Sequence, residues 1–159
     1  RVTGNGCNSG VQFRSELRED GLPVGYQADI YESGGYLGGV CDELHNRNGP
    51  ELLSANGSKT VINKDGTRTQ TKIDTVATFK KWPEWNHYHI VAKGQHIILG
   101  INGVKSSELI DREEGHFDLK GILGLQLRAG KPMTVQFKEI YFKERGVGPT
   151  KDRASLNDK

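Results

Sequence analysis

Glycine punctuates this chain more than any other residue type. It occurs 21 times in 159 residues, spread along the sequence rather than massed, and the runs between glycines alternate apolar and polar residues instead of repeating at helical spacing. Many tight turns between short strands use glycine in this way, because it adopts positive φ at little steric cost. VQFRSEL (11–17), YQADIYES (26–33), TVINKDGTRTQTKI (60–73), WNHYHIVAKG (85–94), QHIILGINGVKSSEL (95–109), GILGLQLRAG (121–130) and MTVQFKEIYFKER (133–145) read as strands or strand pairs. GGYLGGVCDEL (34–44) is too rich in glycine for a regular strand and reads as a loop entering a short one. DTVATFKKW (74–82) reads as a short strand or one helical turn. The segments 89–103 and 123–137 read as hairpins, turned at Lys-Gly and at Ala-Gly-Lys-Pro.

These features predict one all-β domain over residues 1–145, followed by a polar extension or linker over 146–159. Antiparallel strands in this number close as a two-sheet sandwich or as a barrel, and polar residues in register favour the sandwich. Gln12 and Arg14 share a strand face, as do Gln27 and Asp29, and Gln126 and Arg128. Each pair lies opposite an apolar set, respectively Val11 and Phe13, Tyr26, Ala28 and Ile30, and Leu125 and Leu127. The expectation is a polar floor on one sheet, able to carry a ligand groove.

Composition narrows the possible partners. Lys and Arg together number 22 against 20 Asp and Glu, a net charge of +2 that gives no electrostatic footprint for nucleic acid. A 34% hydrophobic and 26% charged composition fits a folded globular domain. No run of about 18 apolar residues is present, so no membrane-spanning helix is expected. Cys7 and Cys41 lie in glycine-rich loops, and they either pair in an oxidising compartment or stand as two thiols, with no CxxC motif to argue for metal or redox chemistry.

The ordered blocks NSGVQFRSE (8–16), GYQADI (25–30), GGVCDELHNR (38–47), WNHYHI (85–90), ING (101–103), GILGLQLRAG (121–130) and VQFKEI (135–140) resemble the 3-keto-disaccharide hydrolase domain family. The resemblance covers residues 8–143. It implies a concanavalin A-like, jelly-roll β-sandwich that cleaves glycosides whose sugar is oxidised at carbon 3, in an exported, secreted or periplasmic bacterial protein. It also implies strands ahead of the first block, so the sandwich is expected to lack its first strands unless the C-terminal extension or another chain completes them. Cys41 stands where the family tends to place an aromatic residue, and Arg128 where it often has histidine.

A ketone at carbon 3 acidifies the carbon 2 proton, and the resulting enolate can expel the group on carbon 1. Such a site needs a base, an oxyanion partner and an acid for the leaving oxygen, but not the paired carboxylates of ordinary glycosidases. Arg14 is the candidate electrophile, since guanidinium stays charged and offers two donors at once. Its structural alternative is a pairing with Asp29 or Glu43. Asp29 is the candidate base or metal ligand, and Glu43, with Asp42 as the other option, is the second acid or base. Asn8, Gln12, Gln27, Gln126 and Arg128 are candidate substrate-binding residues. Trp85, and with it Trp82, offers a sugar-stacking surface or a core anchor. His87 and His89 have the spacing of a metal pair on a strand, and a divalent cation held by Asp29 and Glu43 stays open. Asn56-Gly57-Ser58 fits a glycosylation pattern. The reading that competes with catalysis is a carbohydrate-binding or interaction module on the same fold.

Overall fold

The computed structural model describes residues 1–144 other than 5, 32–34, 46, 48 and 80–82. Trp82 and the polar extension expected over 146–159 lie outside the described residues. The described residues form twelve strands and no helix, so none contains a helix long and apolar enough to cross a membrane. The strands are β1 (Val2–Gly4), β2 (Asn8–Leu17), β3 (Pro23–Tyr31), β4 (Val40–Glu43), β5 (Leu52–Ser54) and β6 (Ser58–Ile62). They continue with β7 (Arg68–Lys72), β8 (Tyr88–Lys93), β9 (His96–Ile101), β10 (Val104–Asp111), β11 (Ile122–Leu125) and β12 (Met133–Val135).

Two five-stranded sheets face each other, ordered β11-β2-β3-β4-β5 and β7-β6-β10-β9-β8, with β1 and β12 as a separate two-stranded ribbon. Pairing is antiparallel throughout except between β10 and β6, which run parallel. The core between the sheets draws Phe13, Tyr26, Ala28, Val40 and Leu53 from the first and Ile62, Ile97, Leu99 and Leu109 from the second. Alternation accounts for this: each inward residue is followed by one on the opposite face. A full burial of this kind is worth about 1.5–3 kcal/mol per large aliphatic side chain. Val2, Cys7 and Ile30 form a smaller cluster under the β1–β12 ribbon.

The hairpin expected at Lys-Gly is present as β8–β9. Asn102 and Gly103, at φ 52° and 82°, turn β9 into β10 with the two positive φ values that a type I′ hairpin requires. The second expected hairpin does not form. β11 pairs with β2, whereas β12 pairs with β1, so residues 126–132 cross between two sheets instead of turning back. Among the described residues of the long run 133–145, only 133–135 are strand, and Ile140, Tyr141 and Phe142 are exposed. Residues 74–79 are neither strand nor helix.

Two further expectations change. Leu125 and Leu127 are exposed rather than core, because β11 is the edge strand and has only β2 beside it. Arg14 leaves the face it was expected to share with Gln12. Register shifts between Phe13 and Glu16, so Arg14 and Ser15 together stand against Gly25 of β3. Arg14 takes φ 51° and turns inward, and Ser15 takes over the outer face. The bulge depends on Gly25, where a Cβ would lie 2.8 Å from Ser15.

Candidate active site

The outer face of the first sheet is polar, as the alternation predicts. Gln12, Gln27 and Asp29 are all buried there. Gly10 lies opposite Asp29 in the β2–β3 register, and any Cβ at Gly10 would come within 2.5 Å of the Gln27 side chain. Its missing side chain gives the Gln27 amide room to lie across the floor. A cleft of about 340 Å³ opens above, lined among others by Asn8, Asp29, Tyr31, Glu43, Glu51 and Arg128. That volume lies at the small end of those that take small molecules.

Asp29 is the best-held group in the cleft. Its Oδ2 accepts from Gln27 Nε2 at 3.2 Å and from the Cys41 thiol at 3.5 Å. Its Oδ1 is buried with no partner. Burial pushes the Asp29 carboxyl up to about 7; the bonds from Gln27 and Cys41 pull it down, Glu43 raises it and Arg128 lowers it. Glu43 accepts from Gln27 Nε2 at 3.3 Å, and burial first, then Glu51, raises its pKa as well. The Cys41 thiol is raised by burial and by Asp29, which keeps it an S–H donor. Asn8 Oδ1 and Gln126 Oε1 are further buried acceptors without partners.

The candidates sort into three groups. Asp29, Glu43, Asn8 and Arg128 line the cleft together. Gln12, Gln27 and Gln126 are on the same face, with Gln126 donating its backbone N–H to the Gly10 carbonyl. The remaining candidates lie elsewhere. Arg14 donates to the backbone carbonyls of Ala92 at 2.9 Å, Gly94 at 2.6 Å and Asp118 at 3.3 Å, tying β2 to the end of the opposite sheet. Asp42 faces inward, bound to Arg47. Trp85 has the Arg1 guanidinium 5.1 Å and the Lys138 ammonium 4.6 Å from its ring centre, so its faces carry cations at the β1–β12 ribbon.

Cys7 and Cys41 are not bonded to each other. Cys7 packs with Val2 and Ile30 and donates to the Gly4 carbonyl, whereas Cys41 projects from β4 onto the outer floor. Alternation has put the two thiols in different environments. His87 and His89 are exposed side by side, ring centres 6.1 Å apart. Among the described residues no group of three or more His, Cys, Asp or Glu is arranged to hold a metal ion. Both ends of the Asn56 amide are occupied by the Ala77 backbone, its Nδ2 donating at 2.6 Å and its Oδ1 accepting at 3.1 Å.

Tyr31, Tyr36 and Glu51 are cleft residues that the sequence reading missed. Tyr31 was legible, since it follows Asp29 by two and must share its face. Tyr36 and Glu51 come from loops that meet across the sheet, where the Tyr36 hydroxyl donates to Glu51 at 3.4 Å.

A two-sheet β-sandwich of this order, here with a buried and a half-buried carboxylate, unpaired acceptors and a rim arginine on its outer floor, is of the concanavalin A-like class. The model of the 3-keto-alpha-glucoside-1,2-lyase-like domain matches residues 1–143, and the chain belongs to that family. No curated protein matches the chain.

Proposed function

We propose that this protein cleaves 3-keto-glycosides by 1,2-elimination, with Asp29 as the base. The observation that carries this reading is the bare, buried Oδ1 of Asp29, on a carboxyl whose pKa of about 7 matches a base working near neutral pH. Asp29 Oδ1 takes the proton from carbon 2, and the electrons move onto the carbon 3 oxygen as an enolate. Arg128, on the same cleft wall, supplies positive charge to that oxygen, the role first expected of Arg14. As the carbonyl re-forms, the carbon 1–carbon 2 double bond forms and the carbon 1–oxygen bond breaks. Glu43, whose pKa is raised by burial and by Glu51, gives its proton to the leaving oxygen. Asp29 returns its proton to solvent and Glu43 regains one. Addition of water to carbon 1 would make the net reaction a hydrolysis.

The test is incubation of the folded protein with 3-keto-disaccharides in deuterated buffer, followed by NMR, with the unoxidised disaccharide as control. Release of the leaving sugar from the oxidised substrate alone, slowed by deuterium at carbon 2, supports the reading. Binding of the sugar without release sinks it and assigns the cleft to a carbohydrate-binding module.

A further inference from the structure

We propose that Ser15 and Gln12 are positioning residues which, through Gln27, determine which oxygen of Asp29 faces the cleft. The inference rests on the cleavage reading, and its logic is one of hydrogen-bond polarity. An ionised carboxylate only accepts. Gln27 lies 3.2 Å from Asp29 Oδ2 and 3.3 Å from Glu43 Oε1; Asp29 accepts as a carboxylate and Glu43 through the oxygen that does not carry its proton, so the amide turns its NH₂ toward both. Its oxygen then faces the other way, where Gln12 Nε2 donates at 3.3 Å. That leaves the Gln12 oxygen pointing at Ser15, whose hydroxyl donates to it at 2.7 Å.

The line therefore has one consistent direction, from hydroxyl to amide to amide to carboxylate. Reversing Gln27 would set a carbonyl oxygen against two accepting oxygens, Asp29 Oδ2 and Glu43 Oε1. Water does not compete, because Ser15, Gln12 and Gln27 are at most 2% exposed. The Ser15 hydroxyl also lies 3.2 Å from the Phe13 carbonyl and 3.4 Å from that of Tyr26, both longer than its contact with Gln12. The line starts at the bulge: the shift that turns Arg14 inward is what brings Ser15 onto the floor beside Gln12. Both N–H groups of Gln27 are thereby spent on carboxylates, which makes it a support for the base and leaves Asp29 Oδ1 for substrate.

The groups around Asp29 are Cys41 and Glu43 from β4, Glu51 ahead of β5, Tyr36 from the loop before β4 and Arg128 after β11. From β8, the Tyr88 hydroxyl donates to the Asp29 backbone carbonyl at 3.0 Å. Removing the amide support leaves these in place and takes away the Gln27 donor, which lowers the Asp29 pKa.

The test is a carbon-13 NMR titration of the Asp29 carboxyl in the whole chain, run alongside the pH profile of kcat/KM. Gln27→Met moves the midpoint up by about one unit, the scale of a lost charge-assisted hydrogen bond. Gln12→Met and Ser15→Ala move it the same way by less, the acid limb of kcat/KM follows, and kcat falls more than KM changes. Gln12→Glu keeps the packing shape but cannot donate when ionised, and it moves the midpoint up as well. Folded Gln12 and Ser15 variants that titrate like the native chain overturn the proposal. A titration that moves in a native protein inert toward every 3-keto-glycoside sinks the cleavage reading and leaves the positioning line standing.

Discussion

Arg47 and Arg128 each sit among carboxylates, and the difference between their surroundings separates scaffold from site. Arg47 is buried where the two sheets meet. Its Nε binds Asp42, its Nη1 lies 2.8 Å from Asp111 and 3.2 Å from Glu113, and its Nη2 donates to the His116 carbonyl at 2.8 Å. Tyr26 adds its hydroxyl to Asp111 at 2.6 Å. Every guanidinium nitrogen is used, and Asp42 of β4 is joined to Asp111 of β10 across the core. Around Arg128 the arrangement is incomplete: Arg128 is exposed at the rim, and Asp29 Oδ1 is buried without a partner. Similar residue types give a guanidinium whose every nitrogen is bound in one place and one exposed at the rim of a cleft in the other.

The largest expected effect breaks the brace. Arg47→Ala strands buried carboxylates and costs about 3–5 kcal/mol, read as a drop in the urea midpoint. Arg128→Ala changes the same midpoint by less than about 0.5 kcal/mol, yet lowers kcat on a 3-keto-disaccharide by at least about 100-fold. Equal losses of stability in the two variants would erase the contrast.

Asp29→Asn comes next, with kcat down about 1,000-fold and the fold retained. Its stability effect has a definite sign. The folded-state pKa of Asp29 is raised from 3.8 to about 7, so the native state binds this proton more tightly than the unfolded one. The native chain therefore loses stability as pH rises between those values. The asparagine variant does not, and its melting temperature exceeds that of the native chain at pH 8, with the gap closing toward pH 4. A constant gap would place the Asp29 pKa elsewhere.

The smallest effect lies at the edge of the brace, where His45 Nδ1 is 2.7 Å from Asp42 and its Nε2 3.4 Å from Asp118. The bond to Asp42 is the main cause raising its pKa. This contribution is full below the unfolded value and lost as pH rises through the folded one. His45→Gln accordingly costs under about 1 kcal/mol at pH 5.5 and close to nothing at pH 9. A loss that grows with pH would contradict the assignment.

Much of the floor was legible, because a strand's alternation needs no knowledge of its neighbours. Gln12 with Gln27 and Asp29, and Gln126 with Arg128, share the outer face their spacing requires. Arg14 was misplaced because one bulge resets alternation for every residue beyond it, and nothing local in FRSE announces the αL turn. The cations beside Trp85, Arg1 and Lys138, lie far apart in sequence and meet only in the folded chain. Tyr36 and Glu51 reach the cleft only because loops meet above β4, and the Arg47 brace joins residues 42, 47, 111 and 113 from both sides of the core.

By itself, then, the amino-acid order determined the all-β class, most of the strands, the apolar core face and the polar face with Asp29 on it. These follow from side-chain period and turn chemistry, which act over a few residues. Tertiary structure alone decided which partners each carboxylate meets, and so that Asp29 lines the cleft while Asp42 binds Arg47 in the brace. That outcome depends on desolvation and on partners distant in the chain, quantities that exist only once the two sheets have closed.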